Sequence, residues 1–134
     1  LFGYFFKSLH IAVDRSRLKS RAETMRRAAL AVDEGSGIVI FPEGGIYTTQ
    51  PPHMVPFKNG AFRLALDKQI PIIPVTLSFN HLILPEDGKF LLDFHRAKMV
   101  LHEAIFPEEG ATEESLKNKC FEVIERQLQL DNGV

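Results

Sequence analysis

Apolar residues recur at two periods along this chain, and the switches between them predict alternating strands and helices. Ile11-Ala12-Val13 is a short apolar run and reads as a strand. From Leu18 to Glu34 the residues Leu18, Ala22, Met25, Ala29 and Val32 return every three or four positions, which makes one helical stripe. Arg21, Arg26 and Arg27 lie largely off that stripe, and Gly35-Ser36-Gly37 stops the helix. Ile38 to Phe41 is a β-branched and aromatic run that reads as a buried strand. Strand, helix and strand with short joints form a βαβ unit, so parallel strands with a right-handed crossover are expected.

The pattern continues to the C-terminus. Ile46 to Pro56 contains Pro51-Pro52, which forbids regular structure and predicts a loop. Gly60 to Lys68 reads as a helix apolar on two sides, with Ala61, Leu64 and Ala65 on one and Phe62 and Leu66 on the other, so it should be well buried. Ile72 to Leu77 is the next strand, with Pro71 and Pro74 where ladder donors are least needed. Phe90 to Phe94 and Lys98 to Ile105 are further strands, and Asp87-Gly88 marks the turn before the first. Thr112 can cap a last helix whose first turn holds Glu113 and Glu114. Its inner stripe is Leu116, Cys120, Val123, Ile124 and Leu128, and Asp131 to Val134 should fray. At the other end, Leu1 to Leu9 reads as a short aromatic helix. Phe2, Phe5 and Phe6 there suit either core packing or contact with an acyl chain or bilayer interface. The expected fold is α/β, a mostly parallel or mixed central sheet flanked by helices.

With 134 residues the chain holds one core, so a single domain over 1–134 is expected. Composition changes this picture little: 45% hydrophobic and 25% charged residues are ordinary for a globular domain. A net charge of -1 gives no general argument for nucleic acid, and none is expected as a partner. Charge is uneven, however. Lys7, Arg15, Arg17, Lys19, Arg21, Arg26 and Arg27 crowd the first part, and the basic surface of the Leu18 helix suits either solvent or anionic lipid. The single cysteine, Cys120, excludes an internal disulfide and a cysteine metal cage; at helical spacing among apolar residues it reads as core. No run of about 18 apolar residues occurs, so no membrane-spanning helix is expected. No signal peptide is expected from these residues, which open on Leu1 rather than Met.

Chemistry concentrates at two strand ends. Ligands of open α/β sheets bind at the carboxyl ends of strands. The run Ile38-Val39-Ile40-Phe41 ends in Pro42-Glu43-Gly44-Gly45, which would bring the Glu43 carboxylate to that rim. Arg15 and Arg17 follow the first strand, where their guanidiniums suit either a phosphate or a solvated turn. Lys58 stands beside the start of the Gly60 helix, a plausible anion seat. Neither Gly-x-Gly-x-x-Gly nor the Gly-x-x-x-x-Gly-Lys phosphate loop occurs, which argues against a nucleotide-binding domain.

Three stretches stand in order: Ile11-Ala12-Val13-Asp14-Arg15, Phe41-Pro42-Glu43-Gly44 and Ile70-Pro71-Ile72-Ile73-Pro74-Val75. Together they resemble the second, third and fourth sequence blocks of the glycerolipid acyltransferases, the 1-acylglycerol-3-phosphate acyltransferase family. Phe57-Lys58-Asn59-Gly60-Ala61 is similar to the segment after the third block. The resemblance covers roughly Leu1 to Leu77. It implies acyl transfer to the hydroxyl of lysophosphatidic acid or a related lysophospholipid, in phospholipid biosynthesis. The donor would be acyl-CoA or acyl carrier protein, with no metal and no other cofactor. It also implies work at a membrane surface, on its cytoplasmic face, peripheral or anchored through segments absent here. By the same resemblance Glu43 contacts a hydroxyl of the glycerol acceptor or supports the site loop, there pairing with Arg15, with Phe41, Pro42 and Gly44 around it. Pro74 and Val75 would shape a pocket wall.

The sequence parts from that family at two places. The family's first block, His-x-x-x-x-Asp, supplies a general base and its orienting carboxylate. None of the five histidines fits it. His10 has Asp14 four positions on, about 13 Å away along a strand. His81 has Glu86 at the right offset, but after the fourth block and across Pro85; His53, His95 and His102 meet Lys58, Val100 and Pro107 there. The dyad is therefore expected before Leu1, and this stretch alone is expected not to turn over. A non-catalytic lipid- or acyl-carrier-binding module on the same scaffold is the alternative. Secondly, where the family commonly has Thr and Arg after Phe-Pro-Glu-Gly, this chain has Gly45 and Ile46. The phosphate-binding role of that Arg would pass to Arg15, with Lys58 or Arg17 assisting.

Overall fold

The computed structural model describes residues 18–45, 50–83 and 94–133. The chain divides after Ile40 into two compact units. In the first, helix α1 (Leu18–Asp33) runs as its periodicity predicts. Ala28 is its most buried described side chain, with Met25, Ala29 and Val32 half-buried, while Arg26 and Arg27 are exposed. Ala22, expected on the inner stripe, is exposed. The helix stops in a Schellman motif. Gly35, at φ +84, donates to the Val32 carbonyl at 2.9 Å, and Ser36 donates to that of Ala31 at 2.9 Å.

The buried strand expected over Ile38 to Phe41 is not what the structure has. No ladder forms there among the described residues; Val39 is 87% exposed and Phe41 70%. An apolar run becomes a strand only when a neighbouring backbone takes its N–H and C=O groups. The expected partner, Ile11–Val13, lies outside the described residues, as do the Leu1–Leu9 helix, Arg15, Arg17 and the Phe90–Asp93 part of a further strand.

The second unit starts at Phe41 and holds a packed core. Helix α2 (Gly60–Lys68) has the predicted bounds and buries Phe62, Leu64 and Ala65. Gln69, in the left-handed region at φ 51, closes it, its backbone N–H reaching the carbonyls of Ala65 and Leu66. Strand β1 (Val75–Ser78) follows, then one short helix, α3 (Asn80–Ile83). Strand β2 (Lys98–Leu101) pairs antiparallel with β1, Val75 opposite Leu101 and Ser78 opposite Lys98. The ladder continues past Pro74, whose carbonyl accepts from His102 N–H at 3.0 Å. It ends in a bridge between Ile72 and Ile105, with reciprocal bonds of 2.9 and 2.8 Å. Between those pairings the register slips by one residue on the His102–Ile105 side, a bulge at the place where proline has no N–H to give.

Helix α4 (Glu113–Asn132) closes the unit against β1 and α2. Thr112 caps it as expected, and Ser115 completes a reciprocal box: Thr112 Oγ1 accepts from Ser115 N–H at 3.1 Å, and Ser115 Oγ accepts from Thr112 N–H at 3.0 Å. Leu116 and Cys120 are 1% and 2% exposed, and with Phe57 and Phe62 they form the core. Phe57 lies edge-on to Phe121 with ring centres 5.0 Å apart. Strand alternation divides β1 by face. Thr76 and Ser78 are fully buried, whereas Val75 and Leu77 are 39% and 40% exposed.

Candidate functional site: the Pro-Glu-Gly turn and the lysine that covers it

The Phe41-Pro42-Glu43-Gly44 stretch is a tight turn. Gly44 N–H donates to the Phe41 carbonyl at 3.0 Å, with Pro42 at the first corner, where its fixed φ suits a β-turn. Gly44 sits at φ +74, a region that charges any other residue a steric penalty. Glu43, at the second corner, is half-buried and makes no ion pair with a described residue.

A second strand of chain lies against this turn. Lys58 N–H donates to the Pro42 carbonyl at 2.8 Å, which fixes the register between the turn and the approach to α2. The Lys58 side chain passes directly over Gly44. A Cβ added to Gly44 would stand 2.7 Å from Lys58 Nζ and 3.0 Å from both Cδ and Cε. That is well inside ordinary contact, so only glycine leaves the lysine tail this course. The turn and Lys58, separated in sequence by 13 residues, are thus one structural piece. Asn59, in the cap position of α2, makes no side-chain cap; its Oδ1 accepts from Lys117 Nζ at 3.2 Å.

The other expected site residues fall elsewhere. Pro74 is buried and Val75 faces outward from the sheet. A shallow cavity of about 380 Å³ in the same unit is lined by Phe79, Arg96, Ala97 and Lys98 rather than by Pro74 and Val75. His102 Nε2 lies 2.8 Å from the buried Thr76 Oγ1, a cross-strand structural bond. Among the described residues no His, Cys, Asp and Glu cluster could hold a metal.

A polar cluster that sequence reasoning missed joins the sheet to α4. Asp131, expected to fray, lies inside the helix with its side chain only 6% exposed. It accepts from Ser78 Oγ at 2.5 Å, from Lys98 Nζ at 2.6 Å and from Gln127 Nε2 at 2.8 Å. The Lys98 and Ser78 hydrogen bonds hold its carboxyl below the usual carboxylate range. The available signal was Gln127 and Asp131 four apart on one helix face. The strand partners carry no such mark. Burial pushes the Cys120 thiol up to about 11, which suits a core residue and not a nucleophile.

The chain matches the Acyltransferase family model over residues 1–78 and belongs to that family. Its fold is the α/β acyltransferase fold: it superposes on the crystal structure of the 1-acyl-sn-glycerophosphate (LPA) acyltransferase PlsC from Thermotoga maritima with a TM-score of 0.68. That match has 24% identity and covers 81% of this chain and 45% of the other. Among sequence relatives, the chain is 26% identical over 96 residues to the chloroplastic 1-acyl-sn-glycerol-3-phosphate acyltransferase BAT2 of Brassica napus, covering 72% of this chain. It is 36% identical over 80 residues to the 1-acyl-sn-glycerol-3-phosphate acyltransferase of Saccharomyces cerevisiae, covering 58% of this chain. It spans 27% and 26% of those two relatives' own length.

Proposed function

We propose that the protein carrying this chain transfers an acyl group from acyl-CoA or acyl carrier protein to the free hydroxyl of lysophosphatidic acid or a related lysophospholipid. The observation that carries this reading is the Phe41–Gly44 turn, held to Lys58 through Pro42, in a chain whose relatives bear the name of that activity. In the reaction an ester C–O bond forms as the thioester C–S bond breaks. The acceptor hydroxyl gives its proton to a general base, and the thiolate leaves and is protonated. A thioester is already a good acyl donor, so the protein's task is to position the acceptor and remove that proton. The base is a His-x-x-x-x-Asp dyad supplied from outside the described residues. Glu43 meets the acceptor's glycerol portion, because a carboxylate aimed at the phosphate would repel it. Both substrates are lipids or carry lipid, so the protein works at a membrane surface, on its cytoplasmic face. No helix among the described residues is long and apolar enough to cross a membrane.

The test is acyl transfer from radiolabelled acyl-CoA, and separately from acyl carrier protein, to lysophosphatidic acid. Phosphatidic acid should form with one donor or both. Binding of the acceptor without any product would refute the enzyme and leave a lipid-binding module. Run on residues 1–134 alone, the assay should give no product; turnover there would place a base within the chain.

A further inference from the structure

We infer that the cavity walled by Phe79, Arg96, Ala97 and Lys98 seats the nucleotide of the acyl donor, the adenosine 3′,5′-bisphosphate of coenzyme A. The inference rests on the proposed acyl transfer and selects its donor. The cavity, about 380 Å³, falls in the size range of small-molecule sites. It lies where the chain leaves the carboxyl end of β1, the rim at which open α/β sheets bind ligands. One buried carboxylate sets both of its walls. Asp131 accepts from Ser78 Oγ at 2.5 Å, and Ser78 is fully buried beside Phe79. The same carboxylate accepts from Lys98 Nζ at 2.6 Å, and Lys98 stands opposite Ser78 in the ladder. Both walls are therefore tied to one point on α4 and need no assembly around a ligand. Phe79 itself turns the corner in the left-handed region at φ 70, an outlier for a bulky residue. Its carbonyl accepts from the N–H groups of Leu82 and Ile83 at 2.9 and 3.2 Å, which holds the corner in that shape. Backbone outliers fixed by their surroundings concentrate at ligand sites. The chemistry of the walls names the ligand. The charge of Lys98 is balanced by Asp131, whereas Arg96 is exposed and makes no ion pair with a described residue. The cavity thus offers one uncommitted guanidinium, an aromatic residue and, at Ala97, only a methyl. Bases stack on aromatic rings and guanidinium planes, and a guanidinium takes a phosphate through paired N–H bonds. A lipid headgroup would use the charge and leave the aromatic wall idle; a nucleotide uses both. The glycine-rich phosphate loops missing from the sequence are not required, because here a side chain supplies the charge.

The probe is adenosine 3′,5′-bisphosphate, which carries neither acyl group nor thiol. Titrated calorimetrically into the protein that carries this chain, it should bind. Arg96→Gln should weaken it roughly ten- to a hundredfold, the worth of a hydrogen bond to a charged group, and Arg96→Lys by less. Arg96 is exposed, so both variants should fold as wild type does. Phe79→Leu should cost roughly five- to a hundredfold through lost stacking. Inorganic pyrophosphate, an anion with nothing to stack, should bind wild type about tenfold or more weakly than the bisphosphate. In steady-state transfer, Arg96→Gln should raise KM for acyl-CoA by a factor like that seen in binding and leave KM for lysophosphatidic acid where it was. No binding of the bisphosphate by wild type, equal binding by wild type and Arg96→Gln, or pyrophosphate held as tightly as the bisphosphate overturns the inference. So does a KM for lysophosphatidic acid that rises in step with that for acyl-CoA. Arg96-dependent binding in a protein that transfers no acyl group would sink the enzyme reading and leave the nucleotide seat standing. Transfer from acyl carrier protein alone, with no bisphosphate bound, would do the reverse.

Discussion

Cys120 offers a direct probe of how α4 is held. Its thiol is 2% exposed and pushed up to about 11 by burial, against an ordinary value of 9.0. At pH 8 the thiolate, the reactive form, is then about 0.1% of the folded population and about 10% of the unfolded one. Ionisation alone slows modification about 100-fold, and the packing of Leu116 and Phe62 around the thiol slows it further. Modification should therefore proceed almost wholly through transient opening of the unit. Leu116→Ala tests this. Leu116 is 1% exposed, so truncation should cost about 2 to 5 kcal/mol. At 1.36 kcal/mol per tenfold, that raises the open population roughly 30-fold to several-thousand-fold. The assay is alkylation of the native protein at pH 8, followed by mass spectrometry of the Cys120 peptide against time. Wild-type labelling within about tenfold of the rate in denaturant, or no acceleration in Leu116→Ala, would refute the packing argument. The pH dependence has a definite sign. A thiol whose folded value is raised contributes stability that is complete below pH 9 and is lost as pH climbs towards 11. The alkaline limb of the unfolding curve should flatten in Cys120→Ala.

Other consequences can be checked separately. Asp131 is the opposite case: its folded value is lowered, so its contribution is full above the ordinary carboxylate value near 3.8 and disappears as pH falls through the lower folded value. Asp131→Asn should lower the thermal midpoint at pH 7 and make the acid limb shallower, and a limb as steep as wild type would contradict the Ser78 and Lys98 bonds. Thr112→Ala removes the cap at the start of α4 and should cost about 1 kcal/mol in denaturant unfolding, with Thr112→Ser nearly silent. Gly35→Ala, at φ +84, should cost about 1 kcal/mol through the left-handed backbone, although a methyl there meets nothing within 4 Å. An effect near zero would mean that the helix end rearranges at little cost.

How much of this was legible in the sequence follows from where each signal lies. Helices α1, α2 and α4 were readable because their periodicity, the Gly35 stop of α1 and the Thr112 cap of α4 are local. The edges of the hairpin were partly readable: Ile72–Leu77 takes in β1 except Ser78, Lys98–Ile105 contains β2, and the two spans hold the Ile72–Ile105 bridge, but the bulge at Pro74 depends on the opposing strand. Ile38–Phe41 shows the reverse failure. Its apolar run is local, whereas its burial depends on a partner. Asp131 was misplaced because terminal position argued for fraying, while Ser78 and Lys98, 53 and 33 residues away, hold it. At the candidate site, the Pro-Glu-Gly stretch was visible as a motif. That Lys58 lies across it was not, since nothing local says where a lysine side chain points.

The site and the core are coupled through one alternation. Phe57 is 6% exposed and contacts the rings of Phe62 and Phe121; Lys58, its neighbour, is exposed and covers Gly44. In extended chain successive side chains point to opposite sides, so burying Phe57 turns Lys58 outward towards the turn. The Lys58–Pro42 backbone bond then transmits the position of the core to the turn. A cavity at Phe57 should consequently be felt twice. Phe57→Leu removes ring contacts and destabilises the unit, and it also loosens the lysine, so the KM for a phosphorylated acceptor should rise even where the protein remains folded. Truncation of a buried residue outside the Phe57 cluster, such as Leu64→Ala, should lower stability without that change in KM. The glycine at position 44 and the phenylalanine at position 57 thus serve the same end from opposite sides: one clears the path of the lysine tail, and the other fixes where it starts.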